Sequence, residues 1–120
     1  RGLPVAFLTR FPQYTSPFWN MENVDDKASK VDVLLYGMET IGSAERSTDP
    51  DEMDHLFHTI SDGMYAKTLY AQFGKERVER ELNNFLSLPF ITRCGGGIGV
   101  TRLIRAMKMA NILTSNTMRT

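Results

Sequence analysis

The chain has 120 residues, 42% of them hydrophobic, with 14 Lys plus Arg balancing 14 Asp plus Glu, which supports one domain around one core and excludes two. The balanced charge carries no signature of a polyanionic partner and forbids none. The single cysteine, Cys94, excludes an internal disulfide, no Cys/His cluster has zinc spacing, and no stretch approaches the ~20 apolar residues that span a bilayer, so the expectation is a soluble, cytoplasmic protein.

The start, Arg1-Gly2-Leu3-Pro4, has neither an apolar signal segment nor an initiator Met and reads as internal or processed. Pro4 to Phe11 is predicted as a buried central strand that Pro12 ends by removing a donor. Ser16 to Glu22 is predicted as a second strand, the polar stretch Asn23 to Lys30 as a turn around Asp25, Asp26 and Lys27, and Val31 to Tyr36 as the return strand. After a break at Gly37, Met38 to Arg46 extends if Gly42 marks a bulge or a close approach. Asp49 is predicted to cap a helix with Pro50 at its first position and Asp51, Glu52 and Asp54 on the favourable end of its dipole, running to about Ile60. Ser61, Asp62 and Gly63 interrupt it, and a second helix over Met64 to Phe73 closes at Gly74.

Lys75 to Leu88 places Val78, Leu82, Phe85 and Leu86 on one helical face, opposite a solvated charged face that includes Glu79. Phe90 to Arg93 is predicted as a short strand running into glycines, and Val100 to Ala110 as a terminal helix. Phe18 and Trp19 are expected in the core, and Met64, Met107 and Met109 as core or interface fillers. His55 and His58, three apart on a helix without a further ligand nearby, are assigned to surface or packing, not to metal.

Two segments carry chemistry. Cys94 to Arg105, CGGGIGVTRLIR, brings Gly95, Gly96, Gly97 and Gly99 ahead of a helix whose N-terminal amides and dipole suit an anion, with Arg102 near its start. The spacing is neither that of a dinucleotide fingerprint nor that of a P-loop, and tight strand–helix packing explains the glycines equally well. In Asp32 to Arg46, DVLLYGMETIGSAER, an extended strand puts Glu39, Ile41 and Ser43 on one face, joined by Glu45 if regular. A carboxylate there can hold a hard cation, and Arg46 can pair bidentately with a carboxylate; a solvated charged strand is the plainer alternative.

The ordered set FLTRFP (Phe7 to Pro12), SPFWNM (Ser16 to Met21), D-x6-E-x2-GSAER (Asp32 to Arg46) and GGGIGVTRL (Gly95 to Leu103) resembles the second half of class II aspartyl- and asparaginyl-tRNA synthetase cores. The resemblance implies an α+β fold, an antiparallel sheet flanked by helices, and a partial catalytic domain over 1–120 that holds motif 3 without motifs 1 and 2. It further implies that Arg102 holds the ATP triphosphate beside Gly99, Val100 and Thr101. Glu39 would contact ATP and its Mg²⁺, and Arg46, with Gly42 alongside, would read the amino-acid side chain. A homodimer through an N-terminal half is implied too.

Gly42 stands where aspartyl enzymes carry a serine and asparaginyl enzymes a glycine, Thr101 where the family usually has Glu, and the tail after Asn111 lacks the family's Phe-Pro-Arg-type ending. Gly42 leans toward asparaginyl-like sequences, whereas the GGGIG run (Gly95 to Gly99), Thr101 and the missing tail are more similar to the stand-alone, AMP-forming asparagine synthetases. They imply activation of aspartate to an aspartyl-adenylate and amidation by ammonia, with charging of tRNA as the alternative. Without motifs 1 and 2, a non-catalytic synthetase-like binding module is the third expectation.

Overall fold

Two tight turns in left-handed backbone organise the sheet. The computed structural model describes residues 2–15 and 17–113; Arg1, the first residue of the expected strand Ser16 to Glu22, and most of the tail contrasted above lie outside them. Strand β1 spans Val5–Pro12, β2 Asn23–Val24, β3 Lys27–Leu35, β4 Met38–Arg46 and β5 Arg93–Ile98. Asp25 (φ 51°) and Asp26 (φ 58°) join β2 to β3, and Tyr36 (φ 49°) and Gly37 (φ 78°) join β3 to β4. Two residues of positive φ are what a two-residue hairpin needs to match strand twist. Asp tolerates that region, and Tyr36 is held there by its N–H donating to the Pro4 carbonyl at 2.9 Å.

The pairings are antiparallel and the strand order is β1-β3-β4-β5, with β2 also on β3. The α+β architecture agrees with the sequence, but β1 lies at the sheet's edge, not at its centre: Val5, Phe7 and Leu8 are 48%, 64% and 48% exposed. An apolar run announces a strand and says nothing of its neighbours. No strand forms over the described part of Ser16 to Glu22, which makes one bridge, Met21 to Arg46. β3 also starts earlier than expected because the turn is confined to Asp25 and Asp26.

Helix α1 spans Pro50–Thr59, α2 Met64–Phe73, α3 Lys75–Leu86 and α4 Val100–Met109. Asp49 caps α1 as its sequence requires, its Oδ1 accepting from the N–H groups of Asp51 at 3.0 Å and Glu52 at 3.1 Å. Ser61 (φ 53°) and Asp62 (φ 55°) break the path between α1 and α2. Phe57, Ala66, Val78 and Leu82 form the core of α1–α3, with Trp19 set edge-on to Phe57 and Phe85. Met21, Ala28 and Ala44 form a second cluster on the sheet, with Phe11 against it. Met64 and Met109, expected as core or interface fillers, are 55% and 48% exposed and so do not fill the core, since helical spacing alone does not tell a contact face from its border; Phe18, 40% exposed, sits at the core's rim against Trp19 and Tyr65.

Glu79 departs from the solvated face assigned to it. Its Oε1 accepts from the Tyr70 hydroxyl and lies 2.9 Å from His58 Nε2, tying the three helices together, while His58 Nδ1 lies 2.8 Å from the Asp54 carbonyl. Hydrogen bonding to Glu79 raises the His58 pKa above 6.5. The Tyr70 hydroxyl, then His58, lowers that of Glu79 below 4.5. Burial, then Glu79, pushes Tyr70 up to about 12, so it stays a donor. A raised His contributes stability that is complete below its unfolded pKa and disappears as pH rises through its folded value, and a depressed Glu does the reverse at low pH. The helix cluster is therefore most stable near pH 5 to 6, between about 4.5 and 6.5. Thermal unfolding is expected at a lower temperature at pH 8 than at pH 6, with the difference reduced in His58→Gln. An equal pH effect in that variant would show that His58 is not its source.

Candidate functional site

Pairing across β3, β4 and β5 decides which side chains meet, because residues directly opposite in an antiparallel ladder share a face. Leu34 faces Glu39 and Val33 faces Ile41, so Thr40 is an extra residue in β4, a bulge. This changes the predicted face: Glu39 separates from Ile41 and Ser43 and joins Gly42, Ala44 and Arg46. The same face carries Lys30 and Asp32 from β3 and Arg93, Gly95 and Gly97 from β5. Gly42, where the sequence allowed a bulge or a close approach, is the close approach.

The bulge is held by the start of α4. The Glu39 carbonyl accepts from Arg102 Nη1 at 2.8 Å and the Thr40 carbonyl from the Gly99 N–H at 2.8 Å, while Thr40 Oγ1 donates to the Met38 carbonyl at 3.1 Å. Arg102 and the carboxylate-bearing turn of β4 are therefore fixed together, although 63 residues separate them in sequence.

The glycines lie within β5, not beyond its end as the sequence suggested: Gly95, Gly96 and Gly97 pair with Ala44, Ser43 and Gly42. The ladder offered by β4 outweighs glycine's poor strand propensity. A Cβ at Gly96 would lie 2.7 Å from the Gly42 carbonyl oxygen, so this glycine serves packing. A Cβ at Gly97 would meet nothing within 4 Å. Gly42, Gly97 and Gly95 thus form a floor without side chains between Glu39 and Arg46, whereas Ala44, 4% exposed, is covered within the cluster of Met21 and Ala28 on the same face. Gly42 to Arg46 spans about 13 Å at ~3.3 Å per residue.

At one end, a Cβ on Gly42 would lie 2.9 Å from Glu39 Oε1 and 3.5 Å from Asp32 Oδ1, so two carboxylates converge there. Asp32, 5% exposed, is engaged by the Lys30 ammonium, which sits 4.2 Å from the centre of the Phe11 ring. Burial of a carboxylate requires such a partner. Glu39 is exposed, and among the described residues its carboxylate takes part in none of the ion pairs. The described residues hold no group of three His, Cys, Asp or Glu side chains able to cage a metal. Mg²⁺ arriving with phosphates and its own waters needs only one or two carboxylates, and Glu39 fits that demand.

At the other end, Arg46 Nη1 donates to Asn20 Oδ1 at 3.3 Å, and the guanidinium lies over Gly95, where a Cβ would come 3.1 Å from Nε and 3.2 Å from Nη2. Among the described residues, the ion pairs within 4.0 Å leave out Arg46, Arg93 and Arg102. Val100 and Thr101 are exposed at the first turn of α4 behind Gly99, which caps it without a side chain. The strip is a sheet face exposed at Gly97 and covered at Ala44, bearing a carboxylate and guanidinium at one end and guanidinium groups at the other.

The sequence profile described as tRNA synthetases class II (D, K and N) matches residues 2–114. The chain belongs to this family. No curated protein sequence matches it. Among solved structures, this class II chain is similar to asparaginyl-tRNA synthetase from Pyrococcus horikoshii, with TM-score 0.61 and 21% identity over 90% of this chain and 24% of that one. It is similar to aspartyl-tRNA synthetase from Entamoeba histolytica, with TM-score 0.59 and 20% identity over 91% and 20%. Asparaginyl-tRNA synthetase from Entamoeba histolytica in complex with asparaginyl-adenylate gives 0.56 and 23% over 86% and 22%. These likenesses establish a shared fold, and the class II chain spans less than a quarter of each of these proteins.

In this class II chain, Glu39, Gly42 and Arg46, singled out by sequence, share one face of β4, and Gly99 and Arg102, where α4 begins, are hydrogen-bonded to the Thr40 and Glu39 carbonyls; Val100 and Thr101 are exposed beside them. Three participants had no local signal. Thr40 is the bulge, Lys30 holds Asp32, and Asn20 reaches Arg46 from a segment expected to be a strand. His58, assigned to surface or packing for want of a further ligand nearby, is engaged by Glu79 and Asp54.

Proposed function

We propose that this class II domain supplies the amino-acid and triphosphate contacts for ATP-dependent activation of an amino acid of the aspartate/asparagine class, with tRNA as the final acceptor. The observation that carries this reading is the side-chain-poor strip ending in Arg46 on one side and in Glu39 with Arg102 on the other. In the reaction, a carboxylate oxygen of the amino acid attacks the α-phosphorus of ATP in line and the bond to pyrophosphate breaks, leaving an acyl-adenylate and pyrophosphate. The chain's part is positioning and charge neutralisation. Arg46 holds the amino-acid side chain, the glycine floor lets the substrates lie flat, and Arg102 meets charge on the departing phosphates. Glu39 would hold Mg²⁺, which supplies further neutralisation of the phosphate oxygens. No side chain acts as a covalent nucleophile.

Family membership supports tRNA as acceptor. Ammonia as acceptor is the second reading, favoured by Thr101 in place of the family's usual Glu; it gives asparagine when the side-chain carboxyl of aspartate is the one adenylated, and Arg46 would then hold the α-carboxylate instead of the side chain. ATP–pyrophosphate exchange by the full-length protein with aspartate and with asparagine tests activation, and absence of exchange with either would sink both readings. Aminoacyl-tRNA as product then supports the first, and free asparagine formed with ammonium the second. Arg46→Ala is expected to lower kcat/KM for the amino acid by about 10- to 100-fold, as for loss of a charged hydrogen bond, with the KM for ATP unchanged. An unaltered amino-acid dependence would remove Arg46 from this role.

A further inference from the structure

We infer that Asn20 is a specificity residue: a neutral amide that orients Arg46 without cancelling its charge, so that this end of the strip takes a side-chain carboxylate in preference to a carboxamide. The inference rests on the proposed amino-acid role of Arg46. Asn20 is fixed beside that residue by its main chain, since its carbonyl accepts from the Ser47 N–H at 3.0 Å and Met21 bridges to Arg46. Its Oδ1 then accepts from Arg46 Nη1, while the Nε and Nη2 side of the guanidinium lies over Gly95, on the floor of the strip.

A carboxylate at this place would orient a guanidinium at least as firmly, because charge-assisted hydrogen bonds are the stronger ones, but it would neutralise it. Arg93 points the same way. It sits directly opposite Arg46 on β5, an arrangement that is unfavourable for like charges. It too is held by neutral groups: Nη1 donates to the Ser47 carbonyl at 3.2 Å and the Ile91 carbonyl at 3.3 Å, and its guanidinium carbon lies 4.8 Å from the centre of the Phe90 ring. Glu45, next to Arg46 in sequence, pairs with Cys94 and so belongs to the opposite face. Two positive charges therefore stand together, each positioned without an acid. The Arg46 fork donates to both oxygens of a carboxylate, whereas a carboxamide sets an N–H₂ donor against one arm.

The test is calorimetric titration of the full-length protein with aspartate and with asparagine in the presence of a non-hydrolysable ATP analogue, repeated for Asn20→Asp and Asn20→Ala, with circular dichroism as the check on folding. The wild type is expected to bind aspartate about tenfold or more tighter than asparagine, the scale of a charge-complementarity difference. Asn20→Asp, which keeps the shape and the hydrogen bond, removes that preference mainly by weakening aspartate. Asn20→Ala weakens both ligands and keeps aspartate ahead. A wild type that prefers asparagine, or binds neither, overturns the inference, as does an Asn20→Asp variant with the wild-type ratio. Selective binding of aspartate without ATP–pyrophosphate exchange overturns the activation reading alone, and exchange with an unchanged ratio in Asn20→Asp overturns this inference alone.

Discussion

Arg102→Ala is expected to lower kcat/KM for ATP in pyrophosphate exchange by about 10²- to 10³-fold, the scale observed when one preorganised donor to developing charge is removed. The geometry separates this from a folding effect. Arg102 spends a single donor on the Glu39 carbonyl, at 2.8 Å, and its head is exposed at the start of α4. A guanidinium has five N–H donors in a planar fork, so most of them remain for phosphate oxygens. Losing the one internal bond costs about 0.5–1.5 kcal/mol, a modest shift in unfolding. Thr40 also keeps its link to the Gly99 N–H, so the bulge is not left unsupported. Arg102→Lys should fall between the two, since it retains the charge and loses the fork. A stable Arg102→Ala variant with less than a fivefold loss in kcat/KM for ATP, about 1 kcal/mol of transition-state stabilisation, would mean that the side chain only braces the bulge.

How much of this could be read from the sequence depends on how local the controlling physics is. The start of α1 was legible because Asp49, Pro50, Asp51 and Glu52 act within one turn, and α3 because Val78 and Leu82 recur at helical spacing. The candidate site residues were named by their order along the chain, which is how the resemblance singled out Glu39, Arg46 and Arg102 without knowing what brings Glu39 and Arg102 together. What was lost depends on pairing. The position of β1 at the edge follows from which strand its hydrogen bonds select, and apolar composition does not encode that. The bulge at Thr40 leaves no mark in METIGSAER, where charged and small residues occur at both parities, yet it moves Glu39 to the face of Arg46. Asn20 was hidden for the same reason: its partner is 26 residues away. Glu79 reads as one more charge in a charged helix until Tyr70 and His58 are placed beside it.

Gly97→Val and Gly96→Val should separate the two purposes that a glycine run can serve. The pair sit side by side in β5 and point to opposite faces. At Gly96 a Cβ would come 2.7 Å from the Gly42 carbonyl oxygen and 2.9 Å from the Ser43 Cβ. The strands would have to part, and destabilisation of about 1–3 kcal/mol or more is expected, as for overpacked sites. At Gly97 a Cβ meets nothing within 4 Å, and a β-branched residue suits a strand. The Gly97→Val protein should therefore unfold at or above the wild-type temperature. Its side chain would stand on the floor opposite Gly42, in the space where a substrate must lie to reach from Arg46 to Glu39. Displacing bound reactants by an ångström or so costs on the order of 10²-fold in rate, and a loss of at least that size in exchange is the expected result. A Gly97→Val protein that is folded and fully active would place the chemistry somewhere other than this strip. One that unfolds as readily as Gly96→Val would make the whole glycine run a packing device.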